Sequence, residues 1–224
     1  MDQWTLHWLS ASGDLGNFRS EILSSFETAY QKLSELLMPP RLDIIIERRP
    51  GETIPEMGIV GYTHRETLVA MSLDPDNPNF VSSLEDGALC RQILHEVHHA
   101  MRWVSPGYGH TLGEALVSEG LAGQFVGKLL GTAPEPWERA LEEEDLLKLP
   151  VDLNDLSSTD YEHAEWFYGS GSLHRWTGYT LGYYMVHAWM SAAGKDASLK
   201  AFITVPASEI ISAALSAGLI KHYR

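Results

Sequence analysis

Cysteine, basic residues and long apolar runs are all scarce in this chain, and each scarcity excludes something. Cys90 is the only cysteine in 224 residues, so no disulfide can close within the chain, and the sequence suits a reducing, cytoplasmic setting. No run of roughly 18 apolar residues occurs, so a membrane-spanning helix is not expected. The start, Met1-Asp2-Gln3-Trp4-Thr5-Leu6-His7, has no basic segment followed by an apolar core, and a secretory leader is not expected either. Only 16 Lys and Arg stand against 30 Asp and Glu, a net charge of −14. That balance opposes binding to nucleic acid and to anionic membranes.

The stretch that organises the rest is Arg91-Gln92-Ile93-Leu94-His95-Glu96-Val97-His98-His99. His95 and His99 are four residues apart, so on a helix they share one face and can grip a single ion. Glu96 stands about 100° further round, close enough to address a water on that ion without binding the ion itself. His-Glu-x-x-His is therefore the pattern of a zinc site that activates water. A third ligand is needed, and Glu119 falls twenty residues after His99. That spacing leaves room for a loop and two turns of a returning helix. Glu114 competes for the role, but Thr111-Leu112-Gly113-Glu114 reads as a capping box, which already accounts for it. Two histidines and one glutamate, with a fourth position for water, is a common catalytic zinc composition.

The helix for this motif is expected to start at a second capping-box pattern, Ser82-Ser83-Leu84-Glu85, with Ser82 as N-cap. Leu84, Ala88, Ile93, Leu94, Val97, Met101 and Val104 then recur at helical spacing. His98 is expected off the metal face, Arg102 on the helix surface, and Cys90 as a small buried residue.

His95-Glu96-x-x-His99 followed by Glu119 is similar to the gluzincin arrangement of thermolysin-like metallopeptidases. Three blocks together resemble a bacterial family of predicted zinc-dependent proteases: His95-Glu96-Val97-His98-His99-Ala100-Met101-Arg102, then Ser118-Glu119-Gly120-Leu121-Ala122, then Arg175 through Tyr183 (RWTGYTLGY). The resemblance implies His95, His99 and Glu119 as ligands of one zinc per chain and Glu96 as general base. It also departs from thermolysin. No acid stands three or four residues after Glu119, where Ala122 and Gly123 occur, so the partner of a ligand histidine has to come from elsewhere or be a backbone carbonyl.

Elsewhere the pattern is α+β. Residues 14 to 37 read as an amphipathic helix stopped by Pro39-Pro40, and 42–47, 58–63 and 67–72 read as strands. The strand at 67–72 is expected to be the sheet edge that could pair with an extended peptide. The acidic stretch from Glu135 to Asp145 reads as a solvated helical face, or as a rim for basic peptides. Residues 146–158 read as a loop, 161–168 as a short helix, and 176–190 and 208–217 as helices. Gly178 and Gly182 leave room for another helix. Tyr179 has two readings, a packed aromatic or a donor to the oxyanion beside the metal, and Arg175 and His174 are weaker choices for the second.

The expected fold is α+β and zincin-like, helix-dominated, with a small N-terminal sheet packed on the His-Glu-x-x-His helix. It is read as one domain, an N-terminal lobe over 1–104 and a helical lobe over 105–224 carrying the third ligand. The expected function is zinc-dependent hydrolysis of peptide bonds in a peptide or protein substrate, with Glu96 and Tyr179 catalytic. Two alternatives stand beside it: a zinc amide hydrolase acting on non-peptide substrates, and a non-catalytic regulatory protein that keeps its zinc. A purely structural site has no need of a glutamate at position 96.

Overall fold

Four strands and ten helices carry the chain in the computed structural model, which describes residues 1–193 and 197–222. They group into two compact units, Met1–Val104 and Ser105–Arg224. Among the described residues strands lie only in the first and helices dominate, so the fold is α+β.

The first unit runs β1 (Trp4–Leu9), α1 (Arg19–Ser34), β2 (Leu42–Arg48), β3 (Ile59–Arg65), β4 (Leu68–Leu73), α2 (Phe80–Glu85) and α3 (Ala88–Val104). The sheet order is β1-β2-β4-β3. β1 and β2 are parallel neighbours, which requires a crossover, and α1 supplies it. β2 and β4 are also parallel, while β3 returns antiparallel to β4. The expected edge strand is therefore misplaced: β4 lies inside the sheet, and β1 and β3 are its edges. β1 itself goes unread in the sequence because its alternation carries Thr5 and His7 between Trp4, Leu6 and Trp8, and only Trp4 is fully buried.

Apolar residues recur where burial demands them. Ile22, Phe26, Ala29 and Leu33 form the buried stripe of α1, and Leu42, Ile44 and Ile46 the inward face of β2. α1 starts later and ends earlier than the apolar spacing implies, since its first turn is a 3-10 turn at Gly16–Phe18. α3 packs on α1, α2, β3 and β4, and every residue from Ala88 to Ala100 except Arg91 is buried. Its start differs from expectation. Ser82 lies within α2 and donates to the Asn79 carbonyl, so it caps nothing. Gly87, at φ +80°, breaks the chain between the two helices. The Asp86 Oδ1 then accepts from the Ala88 N–H at 2.8 Å, taking the capping role.

The second unit comprises α4 (Leu112–Leu130), α5 (Glu143–Leu146), α6 (Leu153–Ser157), α7 (His163–Tyr168), α8 (Thr177–Ala193), α9 (Leu199–Thr204) and α10 (Ala207–Ser216). α4 is its axis, packed by α6, α8, α9 and α10, and accordingly apolar on nearly all sides. It begins at the expected capping box, with the Thr111 side chain accepting from the Glu114 N–H and Glu114 accepting from the Thr111 N–H. α4 and α8 cross backbone to backbone. A Cβ on Gly120 would come within 2.1 Å of the Gly182 carbonyl oxygen, and one on Gly182 within 2.1 Å of the Leu116 carbonyl oxygen. Gly178 serves a different neighbour, the Phe167 ring. The stretch read as a loop over 146–158 contains α6, capped by Asp152, which accepts from the Asn154 and Asp155 N–H groups. Among the described residues no helix is long and apolar enough to cross a membrane.

Candidate metal centre

The helical period brings His95 and His99 to one face of α3, as their spacing requires. Their Nε2 atoms are 3.0 Å apart, the rings meet edge to face, and both residues are buried. Two ring nitrogens this close are compatible only if one donates a proton to the other or both lone pairs meet a cation. Glu119, at the middle of α4, is also buried. One ligand atom from each of His95, His99 and Glu119 lies within 4.8 Å of the others. Two imidazole nitrogens and one carboxylate oxygen in a buried cluster match the donor set of a zinc ion, so the residues fit the metal. His98 and Arg102 are buried as well. Burial corrects the surface position expected for Arg102, whose side chain lies on a helix covered on several sides.

Glu96 is oriented by its own unit. β3 has a period of two, so Gly61 and Thr63 point to one face, and α3 lies on that face. The Thr63 hydroxyl lies 2.8 Å from Glu96 Oε2 and 2.9 Å from the Glu96 carbonyl oxygen. With one proton to give, it favours the charged acceptor. Gln92 Nε2, one helical turn earlier, donates to Glu96 Oε1 at 3.2 Å. Gly61 leaves the space the side chain fills: a Cβ there would stand 2.4 Å from Glu96 Cγ.

Glu119 has a neighbour that the spacing argument passes over. Tyr108, in the loop before α4, donates its hydroxyl to Glu119 Oε1 at 2.7 Å. A loop tyrosine carries no periodic signal, so its role is visible only in space. Burial, followed by the charges of Glu119 and Glu114, pushes the Tyr161 phenol above its ordinary range. Glu114 is held below the usual carboxylate range by the His110 and Thr111 N–H groups, as befits a capping residue.

Tyr179 sits on α8, half-buried, with its ring edge to face with Phe167 at 4.9 Å. His163 stacks on Phe167 at 4.4 Å. Arg175 lies over the Trp176 ring at 4.2 Å, and His174 Nδ1 contacts the Arg175 carbonyl. In the acidic stretch the solvated-face reading fails at one residue. Glu138 is buried, with Oε2 accepting from the Glu135 N–H at 2.7 Å and Oε1 2.1 Å from where a Gly123 Cβ would stand. Glu138 thus lies beside Gly123, four residues after Glu119 on α4. Cys90 is buried as expected, and burial pushes its thiol up to about 11.

A family model described as Predicted Zn-dependent protease (DUF2268) matches residues 22–212, a span that covers all the residues above. No curated protein and no solved structure matches the chain.

Proposed function

The chain belongs to the predicted Zn-dependent protease family, and on that premise we propose that it is a zincin-like metallopeptidase of the gluzincin type. The observation that carries the reading is the clustering of His95, His99 and Glu119 beside a glutamate, Glu96, that is held in place but is not one of the three. These three residues would hold one zinc. When bound, the ion makes a water acidic near neutral pH and polarises the peptide carbonyl. Glu96 would accept a proton from the attacking water and pass it to the leaving amine nitrogen. Its carboxylate keeps acceptor capacity for this after the bonds from Thr63 and Gln92. Tyr108 fixes Glu119 through Oε1, and Tyr179 is assigned as donor to the carbonyl oxygen as negative charge grows there.

An extended peptide would add to the free edge of β3. That strand's inward residues touch Glu96, and its outward Tyr62 is 64% exposed. This edge is what supports a peptide or protein as the substrate. The same donor set would also serve a non-peptide amide, which a substrate profile separates. The test is cleavage of a quenched-fluorescence peptide library. Cleavage should stop on removal of metal by a chelator and return with added zinc. Cleavage that survives complete metal removal would refute the proposal.

A further inference from the structure

We infer that Thr63, Gln92 and Gly61 are the positioning residues of Glu96, and that they lock the base to the edge strand β3. The inference rests on the reading of Glu96 as general base and deepens it. A glutamate on a helix has three rotatable bonds, and ordering them costs entropy that specific contacts must offset. Here each contact fixes a different feature. Thr63 Oγ1 holds Oε2 at 2.8 Å and Gln92 Nε2 holds Oε1 at 3.2 Å, so the carboxylate plane is set from both sides. Gly61 removes the one atom that would occupy the place of Glu96 Cγ, 2.4 Å away. Glu96 as a whole is only 5% exposed. A buried charge with both oxygens partnered is held in one rotamer, and the remaining lone pairs point where the partners are not.

The consequence is a fixed register. Thr63 belongs to β3, whose outer edge has no strand partner among the described residues. The register shift between Thr63 and Arg65 follows immediately, so Thr63 closes the regular part of the ladder. Whatever backbone pairs with β3 is set relative to the Glu96 carboxylate by the same strand. Thr63 acts through Glu96 and touches no reacting atom, which makes it a positioning residue.

The experiment compares wild type with Thr63→Val, Thr63→Ser and Gly61→Ala by zinc content, steady-state peptide cleavage and crystal structure. Thr63→Val keeps the shape and loses the hydroxyl. It should bind zinc as wild type does and lower kcat about 10- to 100-fold with little change in KM. Thr63→Ser, which keeps the hydroxyl, should restore most of the rate. Gly61→Ala should lower kcat in the same way, with Glu96 displaced from β3 and α3 unmoved. Should Gly61→Ala fail to fold, the Thr63 pair decides alone. Wild-type kcat in Thr63→Val, or an equal loss in Thr63→Ser, would overturn the inference. Wild type without zinc or cleavage would instead refute the proposed function. The crystallographic position of Glu96 in Thr63→Val would then decide the positioning claim: carboxylate displaced supports it, carboxylate unmoved overturns it.

Discussion

In the proposed mechanism two tyrosines have different work, and the division can be measured residue by residue. Tyr108 donates to Glu119 Oε1 at 2.7 Å, whereas Tyr179 is packed on Phe167. Tyr108→Phe should weaken zinc binding about 10- to 100-fold, in the range seen when a partner of a metal ligand is lost. Tyr179→Phe should leave zinc binding unchanged and lower kcat about 100-fold, the scale of one lost oxyanion donor. Competitive chelator titration and steady-state kinetics separate them, and a Tyr179→Phe enzyme with wild-type kcat would remove Tyr179 from the mechanism. At this scale the sequence is legible where spacing carries the information. His95, Glu96, His99 and Glu119 follow from a period and a loop length. Thr63, Tyr108 and Glu138 do not, because their contacts span 33, 11 and 15 residues of chain: Thr63 to Glu96, Tyr108 to Glu119 and Glu138 to Gly123. No local pattern marks such partners.

The helix α4 shows how an element serves the site through packing. Its glycine at position 120 admits the backbone of α8, and Glu119 is the residue immediately before it on the same turn. Gly120→Ala should therefore cost about 2 kcal/mol or more, since the clashing atom is a backbone carbonyl that cannot rotate away. For a chain of this size that is a fall in Tm of roughly 4–8 °C, and calorimetry of the variant checks it. At the start of α4, Glu114→Gln should cost about 1 kcal/mol at pH 7. The pH dependence has a definite sign. The folded pKa of Glu114 lies below its ordinary 4.5, so the contribution is complete above that value. It is lost as pH falls through the folded pKa. The stability gap between wild type and Glu114→Gln should then shrink in acid, and a gap that grows below pH 4 would contradict the assignment. The Thr111 box is legible because both partners lie within four residues. The Ser82 box fails because Gly87 and Asp86 offered a nearer cap, and the same four-residue pattern fits the interior of α2 equally well.

At the scale of the whole molecule, the sheet order was the least legible feature. Strand edges depend on which strands pair, and pairing is a non-local choice: β3 and β4 are consecutive in sequence, yet β4 pairs with β2 and leaves β3 outside. For the proposed function this order matters, since one edge of the sheet then belongs to the strand that carries Gly61 and Thr63. The central claim is that His95, His99 and Glu119 hold zinc and that Glu96 works on its water. Zinc content and peptide cleavage in wild type, Glu96→Ala and Glu119→Ala test it together. The account predicts about one zinc per chain in wild type and Glu96→Ala, little or none in Glu119→Ala, and cleavage in wild type alone. Wild-type protein that binds no zinc under zinc-replete conditions, or a Glu96→Ala protein that cleaves as wild type does, would contradict it.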